Sequence, residues 1–181
     1  MKKLILLTLS LFFAMTVSAQ TEKGNWLFEV GSTPFGENTI MQGNSTGLAL
    51  FSTDGTTLFS IGAEGGYFVQ DNTALKFGLG YTDLDFTTFF TYKFGMKHYA
   101  NGVVPLQLDI TGAVNEDQED FFGGGTVETP DPLWLGLQAG YAAFLGENIS
   151  FEPTLRYNMS LNDDFTDEDI IELRFNFVVF F

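Results

Sequence analysis

Ten ionisable side chains recur at one parity of the chain's alternating stretches: Glu29, Glu64, Lys76, Lys93, Lys97, Asp109, Glu152, Arg156, Glu172 and Arg174. Five are acids and five are bases, although the whole chain holds 23 acidic residues against 8 basic ones and carries a formal charge of −15. Local balance inside an acidic chain implies that these charges answer one another, because charges withdrawn from water must be paired. The chemistry expected of them is an ion-pair network lining an interior. Other reactive residue types are scarce. His98 is the only histidine and there is no cysteine, which excludes thiolate catalysis, disulfides and cysteine-ligated metal, and leaves a histidine triad just one centre. Two acidic stretches, "NEDQEDFF" from Asn115 and "NDDFTDED" from Asn162, offer carboxylates suited to calcium. The second lacks the mid-loop glycine of an EF-hand, and both are read as solvated, mutually repelling faces with no metal site.

Strands must position the ten charges. Stretches of about ten residues alternate apolar and polar, the period-two pattern of a strand with two unlike faces. In "FFTYKFGMKHY" Phe90, Tyr92, Phe94 and Met96 oppose Thr91, Lys93, Gly95 and Lys97, and "ISFEPTLRYNMS" sets Ile149, Phe151, Pro153, Leu155, Tyr157 and Met159 against Glu152, Arg156 and their neighbours. Similar rows begin near Trp26, Leu58, Ala74, Val104 and Leu133 and close on "ELRFNFVVFF", making eight strands. The sixth, "LWLGLQAGYAAFL", is read as one unbroken row through Ala139 and Tyr141. Short turns at 70–73, 100–102 and 146–148 alternate with longer links at 32–57, 83–85, 115–131 and 161–168. In an up-and-down sheet the short turns and both termini then fall at one end, and the long links at the other. The first link contains "TGLALFSTDG", whose Asp54-Gly55 is a hairpin-type turn, so the first hairpin is expected to extend past the barrel.

Alternation alone does not say which face is inside. The polar row is rich in glycine and holds the balanced charges, as a narrow lumen requires, while the apolar row is bulky. Trp26, Tyr67, Tyr141, Phe177 and Phe181 gather near the short-turn end of that row, in the manner of an interfacial aromatic girdle. An apolar exterior with a polar interior follows. Eight strands enclose room only for side chains, so the lumen is expected to be plugged by its own ion pairs. His98 then sits at the short-turn end facing outward, and no catalytic residue or cofactor is assigned.

The amino-terminal "MKKLILLTLSLFFAMTVSAQ" has a basic head at Lys2 and Lys3, an apolar stretch from Leu4 to Val17 and a small-residue cleavage site. Residues 1–19 are read as a cleaved secretory signal and 20–181 as one domain. Removing Lys2 and Lys3 leaves six bases against 23 acids, a mature charge of −17. A chain this acidic cannot assemble a phosphate-binding face, which excludes nucleic acid as a partner.

From about Gly24 to Phe181 the chain resembles the small eight-stranded outer-membrane barrels of OmpX and OmpA type, most closely the outer membrane beta-barrel proteins of Bacteroidetes-like Gram-negative bacteria. The segments that carry the likeness are "GGYFVQDNTALKFGLGY", "GYAAFLGENISFEPTLRYN" and "RFNFVVFF". The resemblance implies that the terminal strand, with Phe175, Phe177 and Phe181, is the signal read by the outer-membrane assembly machinery. It implies little about activity, since such barrels serve many ends.

The expected protein is therefore an all-β, eight-stranded antiparallel up-and-down transmembrane barrel in the cell outer membrane, monomeric and without enzymatic activity. It would be embedded in outer-membrane lipid and act structurally or through its acidic extracellular loops, with Glu119, Asp120, Phe121 and Phe122 as the candidate contact for an extracellular partner. Two alternatives remain: a secreted soluble barrel that binds an apolar ligand in a cavity lined by the Phe and Leu row, and a low-conductance channel.

Overall fold

A computed structural model describes residues 21–34, 41–53, 56–84, 87–115, 118–119, 126–127 and 130–181. Residues 1–20 and most of the third long link, including Asp120, Phe121 and Phe122, lie outside the described residues, as do Asp54 and Gly55. Twelve strands follow in chain order: β1 (Trp26–Ser32), β2 (Ala49–Thr53), β3 (Thr56–Gln70), β4 (Thr73–Asp83), β5 (Thr88–Ala100), β6 (Val104–Asn115), β7 (Gln118–Glu119), β8 (Thr126–Val127), β9 (Leu133–Gly140), β10 (Ala143–Phe144), β11 (Ile149–Ser160) and β12 (Ile170–Phe180). Eight of them pair in the order β1-β12-β11-β9-β6-β5-β4-β3, and β1 also pairs with β3, so the antiparallel sheet closes on itself. Closure leaves no free edge along those ladders, which is how a sheet satisfies its backbone without water. At the seam Trp26 donates to the Phe181 carbonyl at 2.7 Å and Phe181 donates back to Trp26 at 3.0 Å.

The short turns form where the chain tolerates positive φ. Asn72 (φ 63°), Asn101 (φ 52°) and Gly102 (φ 74°) adopt it at the β3–β4 and β5–β6 connections, in keeping with the tolerance of Asn and Gly for left-handed backbone. The sixth row departs from expectation. β9 stops at Gly140, opposite Thr154, and the chain resumes pairing only as the two-residue β10, with Ala143 opposite Phe151. Pro153 lies at this break. Its carbonyl accepts from Tyr141 at 3.2 Å, but a proline nitrogen returns no bond, so the ladder is interrupted. Ala142 turns inward and is buried.

The first link differs more. β2 does pair with β3, from Ala49 opposite Ser60 to Thr53 opposite Thr56, so the hairpin extension exists. However, β1 and β3 pair only from Trp26 opposite Tyr67 to Glu29 opposite Glu64. Above that rung they part, and β2 takes the place beside β3, tied to β1 by a parallel bridge between Ser32 and Leu48. The wall thus forks at Glu29 and Glu64. Residues 43–47, which lead to the fork, are all buried. The expectation that side chains alone fill the lumen is corrected on this point: a length of backbone lies inside as well.

Among the described residues, thirty large apolar side chains are exposed on the outer wall and rims, including Phe77, Phe94, Leu108, Leu155 and Phe177, whereas the interior buries twenty-six polar or charged residues against thirteen hydrophobic ones. That partition is the inverse of a water-soluble protein's. It overturns the alternative in which the Phe and Leu row lines a ligand cavity, because that row faces out.

Candidate functional site

The lumen holds the chemistry in layers. At the short-turn end Leu27, Phe68, Ala74, Tyr99, Ala142, Val178 and Phe180 form a buried apolar cluster. Its rings are in mutual contact, Phe68 to Tyr99 at 6.2 Å, Tyr99 to Phe180 at 6.1 Å and Phe144 to Phe180 at 5.8 Å between centroids, within the range of favourable aromatic pairs. At the long-loop end a second cluster gathers Leu58, Leu84, Phe89 and Ala113, with Ala49, Phe51 and Phe165 packed against it.

All ten charged residues of the polar row lie between these clusters and are buried. Lys76 sits 2.7 Å from both Glu29 and Glu64, and Lys97 is 2.7 Å from Glu29 and 2.5 Å from Glu152. Lys93 lies 2.9 Å from Glu64, and Arg174 approaches the same carboxylate at 3.6 Å. Glu64 is therefore the hub for three cations at the rung where the wall forks. Arg156 forms a separate centre: it grips Asp109 with two 2.6 Å bonds and reaches Glu172 at 3.3 Å. A two-pronged guanidinium–carboxylate pair of this kind is short and directional. Gly136 makes room for it, since a Cβ there would collide with the Arg156 guanidinium.

Several members of the network were not singled out from the sequence. Gln107 joins its two halves, accepting from Lys76 at 2.9 Å and donating to Asp109 at 2.7 Å. Tyr99 donates to Glu152 at 2.9 Å from within the aromatic cluster. Both share the parity of the charged row, so alternation carried far enough would have found them. Thr46 comes from the inserted segment, donating to Glu64 at 2.6 Å and accepting from Lys93 at 2.8 Å, and no pattern pointed to it.

The remaining candidates sit apart from the lumen. His98 faces outward near the short-turn end with Thr73 at 3.0 Å. Phe177 and Phe181 are exposed on the outer wall and Phe175 is half-buried against Phe151, with ring centroids 5.8 Å apart. Trp26 and Tyr67 pair at 4.9 Å on the same end of the wall. Glu119 is described only in its backbone pairing with Thr126. Among the described residues no cluster of His, Asp or Glu is arranged to hold a metal ion, and no helix is long and apolar enough to cross a membrane, which says nothing about strands.

A closed antiparallel eight-stranded barrel with an apolar exterior and a polar interior is the fold of the small outer-membrane barrels. The chain is similar to the Yersinia pestis outer membrane protein Ail in a phospholipid bilayer nanodisc, with 13% identity over 88% of this chain and all of that one, at a TM-score of 0.50. Two further similar structures are the amino-terminal barrel domain of Pseudomonas aeruginosa OprF (12% identity, 88% and 98% covered, TM-score 0.47) and Neisserial surface protein A (18% identity, 87% and 97% covered, TM-score 0.42). At these identities the likeness is one of fold. No protein-family model matches the chain, and no curated protein sequence does.

Proposed function

We propose that this protein is an outer-membrane β-barrel whose lumen is closed by its own side chains, and that it serves as a structural or surface-interaction element without catalysing a reaction. The observation that carries this reading is the inverted partition of the wall, apolar outside and charged inside. Water would penalise such an exterior, whereas a bilayer of roughly 25 Å apolar height matches it. The ion pairs and the two apolar clusters support a lumen that serves as scaffold and carries no current. The leader "MKKLILLTLSLFFAMTVSA" fits export, and Phe175, Phe177 and Phe181 fit the carboxy-terminal signal of the assembly machinery. With the short turns inside the cell envelope, the acidic links point outward, where Asp163, Asp164, Asp167 and Glu168 are exposed, available to an extracellular partner.

Gel migration of the mature protein, extracted from membranes in mild detergent with and without boiling, tests the proposal. The expected result is a faster-running unboiled band confined to the outer-membrane fraction. A soluble protein with no heat-dependent shift would overturn it.

A further inference from the structure

Residues 43–47, Gly-Asn-Ser-Thr-Gly, lie inside the long-loop half of the lumen, yet nothing in their bonding resembles a core strand. They belong to no ladder among the described residues. Hydroxyl bonds hold them: Thr91 donates to the Gly43 carbonyl at 3.0 Å, Ser60 to Ser45 at 2.8 Å, and Thr46 stands between Glu64 and Lys93. A glycine stands at each end, Gly43 with φ 65°. Between them Asn44 is only 1% exposed, and neither polar atom of its amide has a partner among the described residues. Burying an amide unpaired is costly, a cost the inserted state bears and a hydrated state would not.

The wall behind the segment is cut to fit a backbone. A Cβ on Gly80 would overlap the Ser45 carbonyl, and one on Gly62 would come within 2.7 Å of the Thr46 carbonyl carbon. These strands therefore bring no side chain of their own to fill the space. Were the segment to leave, the hollow would be lined by the hydroxyls of Ser60, Thr82 and Thr91 and floored by the Glu64–Lys93 pair. The carboxy-terminal end of the segment runs through the Ser32–Leu48 bridge into β2 at the long-loop end, where β1 and β3 have already parted, so departure breaks none of the β1–β3 rungs. The aromatic cluster at the far end is untouched.

We propose that residues 43–47 are a displaceable plug, and that its withdrawal opens the long-loop half of the lumen as a blind, hydroxyl-lined vestibule for small hydrophilic solutes, with no pore through the barrel. This goes beyond the closed-lumen role, since it gives the barrel a second state.

The chain has no cysteine, so single reporters are clean. Asn44→Cys gives up an amide without partners, and Ser150→Cys, fully buried at the stoppered end, is the control that stays closed. Each variant, folded in detergent micelles, is exposed to a small charged methanethiosulfonate and then separated unboiled, so that label is read only in the compact band. Labelling of Asn44→Cys at least tenfold faster than Ser150→Cys is expected. Adding Thr46→Val, which removes the bonds to Glu64 and Lys93, should speed it roughly tenfold more. Equal rates for Asn44→Cys and Ser150→Cys, or no effect of Thr46→Val, would overturn the plug. Absence of any compact unboiled band for the unsubstituted protein would instead count against the outer-membrane barrel itself. If Asn44→Cys does not fold, Ser45→Cys is the second reporter, read in the same way.

Discussion

The two ends of the lumen are closed by different means. At the short-turn end, strand side chains meet across the axis and the rings of Phe68, Tyr99 and Phe180 touch. At the long-loop end, glycines hold the wall back and a returning segment fills the space, beneath the smaller cluster of Leu58, Leu84 and Phe89. Between the two stands the rung of Glu29 and Glu64, below which the wall has eight strands and above which β2 intrudes. The lesson is that one barrel can be rigid at one end and adaptable at the other, according to whether its filling belongs to the wall or was brought to it.

The sharpest way to break this picture is at the rung. Glu64→Gln leaves Lys93 and Arg174 buried without their carboxylate, and should cost about 3–5 kcal/mol, as breaking a buried pair does. Urea unfolding of the barrel refolded in lipid vesicles measures it; a loss below about 1 kcal/mol would mean that the hub is a bystander. The two clusters come next. Phe180→Ala should cost about 4 kcal/mol and Phe89→Ala about 3 kcal/mol, within the range for truncating a buried Phe. Equal losses in the same assay would erase the distinction between the ends.

How far could this have been read without the structure? Parity was enough to place all ten lumen charges on one face, because an antiparallel strand offers no intermediate orientation. It also sets Gln107 on the polar row of β6 beside Asp109, although its part in joining the ion pairs is not legible there, and it places Tyr99 once the row of β5 is followed past Lys97. Parity could not expose the plug. "GNSTG" has the composition of a surface turn, and only the closing of β3, β4 and β5 around it makes it interior. Nor did alternation reveal the break at Gly140, since the residue responsible, Pro153, belongs to the neighbouring strand.

The outer wall offers a gentler probe of the same axis. Leu108→Arg, mid-strand in β6, should cost about 2–4 kcal/mol in vesicles, while Leu50→Arg on β2 at the long-loop rim should cost about 0–1 kcal/mol, following the depth dependence of charges on a lipid-facing barrel. Similar values in detergent and in vesicles would argue that no bilayer is felt. The smallest effect is expected at the plug. Asn44→Ala removes an amide with no described partner. The desolvation cost it relieves, about 1–3 kcal/mol, is offset by the cavity the shorter side chain leaves, so the unfolding free energy should stay within about 0.5 kcal/mol of the parent.

The cancellation of charge within the lumen has a consequence for the outside. Five acids and five bases neutralise one another there, so beyond residue 19 Lys23 is the sole base left to face eighteen acids. By chain position only Glu22, Asp71 and Glu147 of those acids belong to the short-turn end, and the other fifteen fall in the opposite links. By chain position the net charge is thus weighted toward the long links, so counterions, and divalent cations above all, gather chiefly there, and encounters with a charged surface depend on ionic strength mainly through those links.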